Sequence, residues 1–161
     1  HQFSKESKCA LAISLHAPND RLRDEIIPIN KKYNLEKLMQ ELQFYCKSNP
    51  KMTITIEYIM LDEINDNPKH AFELAKLLSR NAIKAKINLI PFNSFKDAPY
   101  RRSKASNIEK FVEILRSKQY VVTIRQERGH DIHGACGQLA GSIIKKARGL
   151  ANLENKNQSK E

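Results

Sequence analysis

Strand-like and helix-like segments alternate along the whole of this chain, and that alternation restricts its fold more than any other property of the sequence. Ala10 to Leu15 is an apolar run ending at His16 and reads as a buried strand, with Asn19-Asp20 supplying helix-start or turn chemistry behind it. Leu35, Leu38, Met39, Leu42 and Cys46 recur at helical spacing, and Ser48-Asn49-Pro50 stops that helix. From Met52 to Leu61 the period changes to two: Ile54, Ile56, Tyr58 and Met60 alternate with Thr53, Thr55 and Glu57. A second helix carries Ala71, Leu74, Ala75 and Leu78 behind Pro68, and Ala85 to Phe92 forms a third strand whose pairing Pro91 should terminate. Ile108, Phe111, Val112 and Leu115 mark a third helix, Tyr120 to Arg125 a fourth strand, and about Gly137 to Leu150 a last helix before a polar tail.

Such alternation implies an α/β fold of parallel strands joined by right-handed crossovers and covered on both faces. Four strands are few for a closed barrel, and only a few polar residues precede the first strand, so the expectation is the C-terminal piece of a larger α/β protein. With 161 residues, 40% of them hydrophobic, the chain has material for one domain. No apolar run approaches bilayer length and no leader is visible, so the expected setting is soluble and cytoplasmic, with no membrane partner. Cys9, Cys46 and Cys136 are odd in number and widely separated, which supports neither a disulfide framework nor a metal-sulfur site made by these cysteines alone.

In parallel α/β folds the working groups lie at the carboxyl ends of the strands. That rule selects Ser14, Leu15 and His16, then Leu61-Asp62, then Asn93-Ser94, then the stretch from Arg125 to Cys136, all facing one mouth. Taken singly each is ordinary: a histidine is more often structural, and Asp and Asn commonly form turns. The net charge of +10 favours a polyanion such as nucleic acid. Most basic residues belong to solvated helix faces or the tail. Arg101, Arg102 and Lys104, and the pair Arg125 and Arg128, are loop-borne and are the candidate phosphate contacts.

Cys136 sits between Gly134 and Gly137 in a turn that opens the last helix, where unpaired N–H groups favour a thiolate. The bland alternative is a small buried thiol beside turn glycines. His130, His133 and Cys136 also offer zinc-type ligands, but the glycines at 129 and 134 make the segment irregular and no second ligand pair is near, so zinc ranks below thiol chemistry. No G-x-G-x-x-G, P-loop or G-x-S-x-G motif is present.

Five segments occur in order: Leu-Ala-Ile-Ser-Leu-His-Ala-Pro-Asn-Asp-Arg-Leu-Arg-Asp-Glu (11–25), Pro-Ile-Asn-Lys-Lys-Tyr (28–33), Ile-Glu-Tyr-Ile-Met-Leu (56–61), Ile-Asn-Leu-Ile-Pro-Phe-Asn (87–93) and Ala-Cys-Gly-Gln-Leu-Ala-Gly (135–141). Together they resemble the C-terminal part of the bacterial radical S-adenosylmethionine methyltransferases that modify adenine C2 in 23S rRNA and tRNA. The resemblance runs from about Cys9 to about Arg148. It implies part of a radical S-adenosylmethionine (β/α) barrel over residues 9–150, a polar lead-in over 1–8 and a flexible tail over 151–161. It also implies that Cys136 carries the methyl group as a thioether, that Ser14, Leu15, His16 and Asn93 contact S-adenosylmethionine, and that a 4Fe-4S cluster and a redox donor complete the enzyme. C2 is an electron-poor ring carbon, so a cofactor must carry the hard step.

The family's cluster motif C-x-x-x-C-x-x-C, its Gly-Gly-Glu segment and its accessory RNA-binding domain are not found here. The chain by itself is therefore expected to be inactive, to bind no iron, and to self-associate through an open sheet edge. Gly134, where the family favours alanine, and His133, where it favours an acid, are smaller departures. Two other readings compete: a Cfr-type adenine-C8 methyltransferase, and a non-catalytic basic RNA-binding module.

Overall fold

The computed structural model describes residues 10–95 and 98–125. Four strands, β1 (Ala12–Ser14), β2 (Ile54–Met60), β3 (Ala85–Pro91) and β4 (Val121–Ile124), form one sheet in the order β1-β2-β3-β4, with every pairing parallel. The connections hold α1 (Asp20–Ile26), a 3-10 turn (Pro28–Lys31) and α2 (Leu35–Ser48), then α3 (Pro68–Arg80), then α4 (Ala105–Ser117). Asparagines start three of the four helices: the Asn19, Asn34 and Asn67 side chains accept the N–H groups of Leu22, Lys37 and Lys69, which satisfies donors that a helix start leaves unpaired. Pro68 occupies the first turn of α3, where its missing N–H costs nothing.

Sequential strands that are also spatial neighbours, joined by crossovers of one hand, place all their helices on one face. Burial agrees. Ile54, Ile56, Tyr58 and Met60 of β2, Ile87 and Leu89 of β3 and Val122 of β4 are buried in one cluster with Leu35, Met39 and Leu42 of α2, Ala71, Leu74 and Leu78 of α3, and Ile108, Phe111 and Leu115 of α4. Tyr58 and Phe111 meet at the centre of this layer, ring centroids 5.2 Å apart.

Three expectations need correction. Strand covering is one-sided among the described residues: α2, α3 and α4 take one face, and the other carries half-buried and exposed side chains. The first strand is an edge strand with Ala12 and Ser14 exposed, because only β2 flanks it in the described sheet. Pro91 does not end the β2–β3 pairing, since the Phe92 N–H still donates to the Met60 carbonyl at 3.2 Å. The helix expected over about 137–150 lies outside the described residues.

Candidate functional site

All four strands end at the same edge, and the first of these ends is the most constrained. Beyond β1, the Leu15 and His16 N–H groups both donate to the Glu57 carbonyl, at 3.0 and 3.4 Å. His16 then takes a left-handed backbone, φ 59°, which costs a residue with a Cβ about 1–2 kcal/mol. Its neighbours hold it there. The Ile59 N–H donates to His16 Nδ1 at 3.1 Å, and Asn65 Nδ2 donates to the carbonyls of both His16 (2.9 Å) and Ile59 (2.7 Å). Asn65, fully buried, accepts the Leu61 N–H at 2.7 Å on its other side-chain atom, while its own carbonyl accepts from the Tyr58 hydroxyl at 2.8 Å. One side chain thus laces the end of β1 to the end of β2.

The imidazole is neutral. Burial first, and the Arg23 guanidinium second, hold the His16 pKa down to about 4, against an opposing hydrogen bond to the Glu57 backbone. With Nδ1 occupied by the Ile59 N–H, the ring hydrogen resides on Nε2, so His16 offers a donor there. Arg23, itself buried, donates from Nε to the Leu15 carbonyl at 3.1 Å. Burial pulls its own pKa down, and Asp20 and Asp24 oppose that shift.

The register builds a second feature on the face away from the helices. Ser14 pairs with Glu57, Glu57 with Asn88, and Asn88 with Thr123, so four polar residues from four strands stand side by side. Ser14 Oγ donates to Glu57 Oε2 at 3.3 Å, and Thr123 Oγ1 donates to Asn88 Oδ1 at 3.0 Å. A carboxylate, an amide and two hydroxyls in one row suit a ligand rich in hydroxyl or ammonium groups. Only Ser14 of this row stood out in the sequence. Alternation pointed to a polar face, but which residues align depends on a register that no single strand reveals.

The other candidates occupy the same edge of the sheet. Asn93 is exposed, one residue past Phe92, whose ring packs against Phe95 and edge-on against Tyr100 to anchor the loop. Asp62 is buried after β2; its N–H donates to the Arg101 carbonyl, and its Oδ2 lies 3.6 Å from the Arg101 guanidinium. Arg101 also reaches Glu63 at 3.2 Å, so its charge is engaged within the chain. Leu61 and Arg102 form an antiparallel bridge, tying the β2 and β3 loops together. Arg102, Lys104 and Arg125 are exposed, and the Arg125 N–H donates to the Leu89 carbonyl at 2.8 Å. Cys136, Arg128 and the histidines of the zinc reading lie outside the described residues. Among the described residues no three His, Cys, Asp or Glu side chains gather as metal ligands, and no helix is long and apolar enough to cross a membrane.

No family model matches the chain. Among curated proteins, the dual-specificity RNA methyltransferase RlmN of Francisella tularensis subsp. mediasiatica is 47% identical over 146 residues, which is 91% of this chain and 40% of that protein. RlmN of Francisella tularensis subsp. novicida matches at the same identity and coverage. A crystal structure of a radical SAM methyltransferase from Sphaerobacter thermophilus superposes with a TM-score of 0.79 at 38% identity, covering 85% of this chain and 40% of the other. A domain of pyruvate-formate lyase-activating enzyme from Bacteroides vulgatus superposes with a TM-score of 0.57 at 15% identity, over 73% of this chain and 67% of that one, a likeness of fold alone. The chain spans about two fifths of the length of the curated relatives it matches, and over that part it is similar to the dual-specificity RNA methyltransferase RlmN.

Proposed function

We propose that this chain is part of a radical S-adenosylmethionine enzyme that methylates adenine C2 in 23S rRNA and tRNA, with residues 9–150 in its barrel and Cys136 as the methyl carrier. The observation that carries this reading is the sharing of one sheet edge by Ser14-Leu15-His16 and Asn93, the segments the family resemblance assigns to S-adenosylmethionine. The donor set fits such a ligand. His16 Nε2 and the Asn93 amide supply hydrogen-bond donors, while Glu57, held by Ser14, supplies an anionic acceptor for hydroxyl or ammonium groups. S-adenosylmethionine, when bound, supplies the methyl group and, with a reduced 4Fe-4S cluster, the hydrogen abstraction that activates it. The described residues contain no ligand set for that cluster. What this chain's residues do is bind and orient: the neutral His16 adds no positive charge beside a cationic sulfonium, and the Asn65 lacing keeps the first strand end fixed.

On this reading the enzyme works in the cytoplasm with a redox donor, and the chain alone is inactive and prone to self-association along β1. The test joins this chain to the remaining length of a curated relative and compares Cys136 with Cys136→Ala. The expected result is a methyl group on the Cys136 peptide by mass spectrometry, and loss of C2-methyladenine in the variant with fold and RNA binding retained. C2 methylation that survives in Cys136→Ala ends the assignment. A C8 product would point to the Cfr-type reaction, and RNA binding without a methylated cysteine to a non-catalytic module.

A further inference from the structure

The turn that follows α1 is held from below by a network around the buried Arg23 and Asn30, and it presents apolar and aromatic side chains outward. Ile29 and Tyr33 are 55% and 52% exposed, and Lys31 and Lys32 stand exposed between them. Lys32 Nζ lies 5.3 Å from the centre of the Tyr33 ring. Beneath them, Arg23 Nη1 donates to Asn30 Oδ1 and, at 3.4 Å, to the Tyr33 carbonyl. Asn30, buried, donates onward to Asp20 Oδ1 (3.0 Å) and Asp24 Oδ1 (2.6 Å), and Asp20 Oδ1 also accepts the Leu35 N–H at 2.8 Å. A buried guanidinium is costly unless its hydrogen bonds are satisfied, so this is a large investment in the geometry of a short turn. The same Arg23 binds the Leu15 carbonyl, which sets the turn one guanidinium away from His16, at the carboxyl edge of the sheet.

We infer that the Pro28–Tyr33 turn is a contact for single-stranded RNA, with Tyr33 as a stacking platform for an unpaired base and Lys31 and Lys32 as phosphate contacts; this rests on the RNA-modifying reading above. A base whose ring carbon is to react must leave its stack, and an exposed aromatic beside the site gives it or its neighbour a new face to stack on. The flanking lysines, in a chain of net charge +10, favour a polyanion over an apolar protein surface. Asp20, Glu25 and Glu36 are the nearby exposed acids in sequence, and the carboxylates of Asp20 and Asp24 accept hydrogen bonds from Asn30. A pre-ordered turn also loses little conformational freedom on binding.

The test uses this chain joined to the remaining length of a curated relative and a fluorescent single-stranded RNA oligonucleotide, with affinity read by anisotropy over a range of salt concentrations and melting followed in parallel. Tyr33→Ala should weaken binding about 5- to 100-fold, and Tyr33→Phe should stay within about 2-fold of the parent, because stacking needs the ring and not the hydroxyl. The double variant Lys31→Ala, Lys32→Ala should flatten the slope of log affinity against log salt by about 1.4. Equal affinity of Tyr33→Ala and the parent overturns the platform and leaves the RNA reading standing. A lowered melting midpoint with unchanged affinity overturns it too, in favour of a purely structural role for the ring. Absence of RNA binding by the joined parent protein removes both this contact and the RNA substrate, whereas the Cys136 methyl measurement decides the methyl-carrier chemistry separately.

Discussion

Replacing Asn65 by leucine, which has nearly the same shape, should destabilise the chain more than any exposed substitution, and the loss can be reckoned from its contacts. The change removes two donated hydrogen bonds, to His16 O and Ile59 O, and one accepted bond, from the Leu61 N–H. Leu61 is buried and Asn65 fully so, which leaves that N–H no route to water. An abandoned buried polar group costs about 1–3 kcal/mol, so with the two carbonyls nearer the surface the sum is about 3–6 kcal/mol. Against a domain stability of about 5–15 kcal/mol, that is enough to shift a denaturant midpoint far toward zero. Asn65→Asp keeps the acceptor for Leu61 but turns an anion toward two carbonyl oxygens, and should be no more stable at pH 7. Urea unfolding of the parent and both variants, followed by circular dichroism, measures the difference. A loss below about 1 kcal/mol for Asn65→Leu would show that the lacing of β1 to β2 contributes little and that His16 holds its backbone by other means.

Two further outcomes follow from the same edge of the sheet. His16 has a pKa of about 4 in the fold against an ordinary value of 6.5, so between these values the unfolded chain binds more protons. Stability should therefore be complete above about pH 6.5 and fall as the pH drops toward 4, by at most about 3 kcal/mol, and urea midpoints of His16→Gln should lack that part of the slope. Arg101→Ala should cost less than about 1 kcal/mol in the same assay, because the guanidinium is largely exposed where it meets Asp62 and Glu63; a larger loss would mean that the bridge between the β2 and β3 loops depends on it.

The sequence made the layers readable because each element repeats its own period. The buried set of β2 is the one its alternation marks, and Ala71, Leu74, Ala75 and Leu78 are buried on α3 as their spacing requires. Parallel pairing also followed from alternation. What could not be read is relational. Arg23 lies in a charged run that resembles a solvated helix, yet a backbone carbonyl and Asn30 draw it inside. His16 takes a left-handed backbone that local rules assign to glycine or asparagine, because tertiary partners outweigh the local penalty. Tyr45 joins the buried face of α2 through a position that the spacing of its leucines left out. Asn65, the residue that ties two strand ends together, looks like any loop asparagine until both ends are in place.

The row from Ser14 to Thr123 draws its members from strands whose hydrogen-bonded partners lie 43 and 35 residues apart in the chain. A slip of one residue in any pairing would turn that strand's contribution to the opposite face and break the row. The row is therefore an assembly checkpoint as much as a surface: no partly paired intermediate displays it, and a mispaired chain cannot imitate it. Whatever small molecule binds there selects the correctly registered sheet from its competitors, stabilising it in proportion to the logarithm of its concentration above its dissociation constant.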